Sequence, residues 1–115
     1  MRIEEKRIGN FLVVEPLERR IDFRVADDFK EKMAGFVDSG NIFILLNLSQ
    51  VEFIDSSGLG TIVSTLKRMG GRGDLFICGV RETVMTMFTL TRMDRIFRIF
   101  GSEQEAIHAL MGKNG

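Results

Sequence analysis

The stretch that decides the fold runs Ile42-Phe43-Ile44-Leu45-Leu46-Asn47-Leu48-Ser49-Gln50-Val51-Glu52-Phe53-Ile54-Asp55-Ser56-Ser57-Gly58-Leu59-Gly60. From Ile42 to Leu48 it is almost continuously apolar and does not alternate, as expected of a strand covered on both faces in a parallel sheet. The segment after Asp55 has a helical period instead. Leu59, Ile62, Val63, Leu66 and Met69 make the i, i+3, i+4, i+7 stripe of an amphipathic helix. Asp55 stands where the N-cap should be, with Ser56, Ser57 and Gly58 as the first turn. A helix start leaves N–H groups without partners and carries partial positive charge, so its hydroxyls are placed where a phosphate is tolerated. Gly58 and Gly60 each cost about 1 kcal/mol against alanine inside a helix, which points to something packing closely there. Residue types alone leave two readings open, a plain helix cap and a binding surface.

Upstream, residues 2–8 alternate loosely and Phe11-Leu12-Val13-Val14 is a compact apolar run, so Gly9-Asn10 between them predicts a hairpin of two antiparallel strands. Pro16 closes the second strand, and residues 17–21 form a charged connector. Asp22 is expected to cap a helix reaching about Val37, with Val25, Phe29, Met33, Phe36 and Val37 on its apolar side. Ser39-Gly40-Asn41 ends that helix. Downstream, 70–74 is a glycine-rich turn. Leu75 to Val80 reads as a buried strand, Glu82 to Thr91 as a helix, Ile96 to Phe100 as a last strand and Ser102 to Met111 as a last helix. Val84, Met87 and Phe88 form the core face of the third helix, with Met85 and Leu90 widening that face. Ser102 and Glu105 have the spacing of a capping box, and Lys113-Asn114-Gly115 is expected to fray. The order β-β-α-β-α-β-α-β-α predicts one α/β domain over 1–115, a mixed, mostly parallel sheet of about five strands packed with about four helices.

Sixteen basic and sixteen acidic residues cancel, so no overall field favours nucleic acid or an anionic membrane. Arg92, Arg95 and Arg98 are interrupted by Asp94 and read as a solvated face. No apolar run nears the ~20 residues that span a bilayer, and Met1-Arg2-Ile3-Glu4-Glu5-Lys6 lacks the apolar core of a signal peptide. The single cysteine, Cys78, excludes an internal disulfide and sits in an apolar run. The expected compartment is the cytoplasm.

Parts for an enzyme are missing. The one histidine, His108, lies in the last helix, and no second histidine or cysteine pair exists to hold a transition metal. Asp55 and Ser56 are adjacent at a helix start and do not face each other as a catalytic dyad. The glycines at 70–73 follow a helix and lack the Lys-Ser/Thr ending of a phosphate loop. Neither a catalytic residue, a metal nor a cofactor is expected.

Phe53-Ile54-Asp55-Ser56-Ser57-Gly58-Leu59-Gly60, after a strand ending in Asn47-Leu48, closely resembles the signature of bacterial anti-sigma factor antagonists, which are single STAS domains. Ile21-Asp22 with Ala26, Gly70-Gly71 and Val84 to Phe88 also match, so the resemblance covers nearly the whole chain. It implies a STAS-like fold and a partner-switching protein. The unphosphorylated form would capture an anti-sigma factor that is itself an ATP-dependent serine kinase, freeing the sigma factor. The kinase would phosphorylate Ser56, and a serine phosphatase would reverse this. Asp22, Asp55, Ser57, Gly58, Leu59 and Gly60 would contact the partner. The resemblance also allows an alternative, a STAS subunit docked on a membrane transport complex without being phosphorylated, though retention of Ser56 argues against it. Three departures stand out. Arg19 occupies a usual glycine position, Val25 replaces Thr or Asn, and a common Gly-Leu turn appears as Arg92-Met93. Arg19, Arg20 and Arg24 around Asp22 alter the charge of that loop and suggest complementary acidic groups on the partner.

Overall fold

Gly9, at φ +58°, turns strand β1 (Ile3–Ile8) back onto β2 (Phe11–Pro16) as the expected hairpin, with Ile8 opposite Phe11 and Ile3 opposite Pro16. The computed structural model describes residues 1–112, so the expectation for residues 113–115 lies outside the described residues. After the hairpin come β3 (Arg20–Ile21), α1 (Phe23–Asp38), β4 (Phe43–Asn47), β5 (Phe53–Ile54), α2 (Ser56–Met69), β6 (Asp74–Cys78), α3 (Glu82–Leu90), a 3-10 turn (Met93–Arg95), β7 (Ile99–Phe100) and α4 (Glu103–Met111).

Five strands form one mixed sheet in the order β1-β2-β4-β6-β7, in which only the β1–β2 pair is antiparallel. The run from Ile42 to Leu48 lacks alternation because β4 is central and covered on both faces. Ile44 and Leu46 point into the larger core with Phe29 and Met33 of α1, Ile62 of α2, and Val84 and Phe88 of α3. Leu45 points the other way, with Val13, Phe76 and Cys78, onto Ala106 of α4. Three helices therefore cover one face and one short helix the other. Ser102 caps α4, its hydroxyl accepting from the Glu105 N–H at 3.1 Å.

The expected outline needs correction in two places. Residues 17–21 are not merely a connector, since Arg20–Ile21 pairs in parallel with Phe53–Ile54 as a separate two-stranded ribbon. Carbonyls of Arg19 and Ile21 accept from Glu52, Phe53 and Asp55, and the Arg20 guanidinium lies 4.2 Å from the centre of the Phe53 ring. Two-residue strands carry no periodicity to read. The last strand is also shorter than Ile96 to Phe100, because residues 93–95 first make the 3-10 turn.

That turn is entered through Arg92, the one non-glycine residue with positive φ among the described residues, at φ +62°. A left-handed conformation costs an L-residue roughly 1–2 kcal/mol, while glycine loses more backbone freedom on folding. The difference predicts that Arg92→Gly is neutral to stabilising by about 1 kcal/mol, as read from urea unfolding. A loss of stability would mean that the arginine side chain contributes more to the fold than its backbone strain removes.

Candidate functional site

The ribbon brings the starts of α1 and α2 together, and two aspartates fix the junction. Asp55 caps α2, with Oδ1 accepting from the Gly58 N–H at 3.1 Å. Its Oδ2 accepts from the Phe23 N–H at 3.0 Å, so one carboxylate ties both helix starts. Asp22 caps α1 by accepting from the Arg24 N–H at 3.0 Å. Its Oδ2 also lies 2.8 Å from Arg24 Nη2 and 3.7 Å from Arg20 Nε. Asp22 is only 5 % exposed, and Arg24 engages both of its carboxylate oxygens.

Hydrogen bonding by the Arg24 side chain holds the Asp22 carboxyl below its ordinary range, against an opposing effect of desolvation. A lowered folded value means that the unfolded chain binds more protons in the acid range. Asp22 therefore contributes stability above the unfolded carboxylate value of about 4, and this is lost as pH falls through its lower folded value. Asp22→Asn is expected to lose less stability than the wild type between pH 7 and pH 3, measured by urea unfolding. Equal losses would show that Asp22 takes no part in the acid response.

Ser56 and Ser57 are exposed in the first turn of α2. Gly58 and Leu59, expected at a partner surface, are buried instead. A Cβ on Gly58 would stand 2.7 Å from the Ile21 carbonyl oxygen and 2.7 Å from Ile54 Cγ1, so the close packing it serves is internal. Gly60 differs, being exposed with nothing within 4 Å of where a Cβ would stand. Thr61 Oγ1 donates to the Ala26 carbonyl at 3.3 Å and joins the two helices below the site.

A groove of about 380 Å³ runs from Ser56 along α2, past Gly60, Val63 and Ser64 to Lys67, with Thr91 and Met93 opposite. Around this end of the molecule four large apolar side chains stand in water: Phe23, Phe53, Leu90 and Ile96. The expectation that Leu90 widens the core face of α3 is corrected. It is 74 % exposed, because Val84 and Phe88 already fill the inward side of that short helix. Sequence reading misses Phe23 as well. Its signal is an aromatic directly after the Asp22 cap and off the Ala26–Phe29–Met33 stripe.

His108 is on α4, whose Ala106 packs on the sheet face opposite the α2 side, so it forms no nucleophile–base pair with Ser56 or Ser57. Burial, with Glu103 and Glu15 nearby, pushes the Cys78 thiol up to about 12, which leaves it an inert core group. Among the described residues no group of three or more His, Cys, Asp or Glu is placed to hold a metal ion. None of the described helices is long and apolar enough to cross a membrane.

The sequence profile of the STAS domain matches residues 2–106. A Thermotoga neapolitana protein named as a proposed anti-sigma factor antagonist is 38% identical over 79 residues, 68% of this chain and 70% of its own length. The anti-sigma-B factor antagonist of Staphylococcus epidermidis is 28% identical over 80 residues, 69% of this chain and 74% of that protein. The crystal structure of a proposed anti-sigma factor antagonist from Thermotoga maritima superposes with a TM-score of 0.86 at 30% identity, covering 94% of this chain and 93% of the other.

Proposed function

The chain belongs to the STAS-domain family of anti-sigma factor antagonists, which are non-enzymatic proteins, and from that premise we propose that it is a binding module switched by phosphorylation of Ser56. The unphosphorylated form binds an anti-sigma factor, and the sigma factor held by that protein is released. The anti-sigma factor is a serine kinase that transfers phosphate from ATP to Ser56, and a separate phosphatase removes it.

What supports this reading is an exposed hydroxyl on the first turn of α2, at the head of a mostly apolar groove, beside a carboxylate that ties both helix starts. Asp55 holds the Gly58 and Phe23 N–H groups and, as the residue next to Ser56 at a helix start, does not face its hydroxyl, so the base that receives the Ser56 proton comes from the kinase. Free N–H groups and the helix dipole tolerate a phosphate there, so modification leaves the fold in place. A docked protein surface meets a different balance. It fitted a neutral hydroxyl and must now desolvate a group of about −1.5 to −2 charge beside Asp55.

Incubation with the cognate kinase and ATP, followed by peptide mapping, tests the assignment. Phosphate on Ser56 is expected. Phosphate chiefly on Ser57, Thr61 or elsewhere contradicts it.

A further inference from the structure

Leu90 and Ile96 are 74 % and 53 % exposed, yet they flank a turn that the fold holds firmly. The Thr91 and Arg92 N–H groups donate to Met87 and Thr89, and those of Ile96 and Phe97 donate to Met93. Buried Phe88 and Phe97 anchor the turn from inside. Its inner residues, Thr91 and Met93, form one wall of the groove whose other wall carries Ser56, Gly60, Ser64 and Lys67. Arg92 and Arg95 stand exposed among the outer ones. Neither arginine, nor Lys67, enters an ion pair among the described residues, whereas Arg19, Arg20, Arg24 and Arg68 all have carboxylate partners. Asp94 is the only acidic residue between Thr83 and Ser102. Arg92 also keeps a long cation on a left-handed backbone that glycine would adopt more easily.

We infer that this turn is a charge-selective anchor: Leu90 and Ile96 enter apolar sites on the docking partner, while Arg92, Arg95 and Lys67 select a surface rimmed by Asp and Glu. The inference rests on reading the Ser56 face as a docking surface, and adds the partner's chemistry to it. Exposed aliphatic side chains on a rigid turn lose little freedom on binding, so their burial is retained as affinity. Cations at the rim steer and select, and a basic partner surface would bring like charges together. Among the other exposed apolar side chains, Phe43 beside Phe11 belongs with the α4 side of the sheet and offers a second place where an apolar probe binds.

Two amphipathic peptides of about five helical turns, with one shared Leu stripe and polar faces of either Glu or Lys, test this by amide chemical-shift titration. The Glu peptide is expected to shift residues 60–67 and 89–96 and to bind roughly ten-fold or more tightly than the Lys peptide at low salt. R92E/R95E should reverse that preference, and about 0.5 M salt should erase most of it. Leu90→Ser should weaken the Glu peptide at either salt, which separates anchoring from charge. A Lys peptide that binds as well, shifts centred on Phe43, or no shifts with either peptide would overturn the inference. Phosphopeptide mapping of Ser56 uses neither peptide, so failure of the charge preference and failure of the phosphorylation reading are told apart.

Discussion

Ser56→Asp is expected to weaken binding to the anti-sigma factor by roughly 30–100-fold, and Ser56→Ala to leave it within a few-fold. Leaving a charge unpaired in a docked interface costs roughly 2–5 kcal/mol, and each 1.4 kcal/mol is a factor of ten. Aspartate carries less charge than a phosphate and sits closer to the backbone, which places its effect toward the lower end. Alanine removes only a hydroxyl at the exposed start of α2, so it keeps the surface and leaves no acceptor there for a phosphate. Calorimetric titration of both variants checks this, with melting curves alongside. An aspartate variant that binds like wild type would remove Ser56 from the switch. One that loses affinity only because it no longer folds would move the switch from the surface to the fold.

Gly58→Ala is expected to destabilise the protein by about 1–3 kcal/mol, the usual cost of overpacking, despite a better intrinsic helix former. The new Cβ would lie 2.7 Å from the Ile21 carbonyl oxygen. That oxygen cannot move freely, since it accepts the Asp55 N–H at 3.2 Å within the short ribbon. Gly60→Ala should behave in the opposite way. With nothing within 4 Å, the methyl group fits and alanine gains up to about 1 kcal/mol of helix propensity. If a partner lies along the groove, that same methyl weakens docking. Stability and affinity measured on both variants therefore separate the two roles of glycine in one turn. A stable Gly58→Ala would contradict the packing argument, and unchanged binding by Gly60→Ala would place the partner away from the groove floor.

The α/β order is readable in the sequence because each long element carries its own period. The apolar run from Ile42 to Leu48 announces a strand buried on both faces, and Leu59, Ile62 and Met69 announce the inner face of α2. Asp55 is legible as a cap because an acceptor at that position has one local task. Its second bond, to Phe23, joins residues 32 apart in sequence and leaves no local trace. The same holds for the ribbon of Arg20–Ile21 with Phe53–Ile54, which is too short for periodicity and is set by pairing between distant segments. Gly58 and Gly60 look alike in sequence, and only the neighbouring Ile21 carbonyl distinguishes a packing glycine from an open one. Leu90 looks like core because it continues an apolar helix, but a nine-residue helix has little inward surface and Val84 with Phe88 occupies it. The serine of the proposed switch is legible from its motif, while the groove beside it needs the 3-10 turn to be placed.

Phosphate on Ser56 is expected to act at the surface and to leave the fold intact. The most direct measurement compares one preparation before and after stoichiometric phosphorylation, recording affinity for the anti-sigma factor and melting temperature on the same samples. Affinity is predicted to fall by at least about 30-fold, because a docked face must desolvate the new charge, while melting shifts by no more than a few degrees. Unchanged affinity, or a loss of affinity that tracks a collapse in melting temperature, would contradict a switch that acts at the surface.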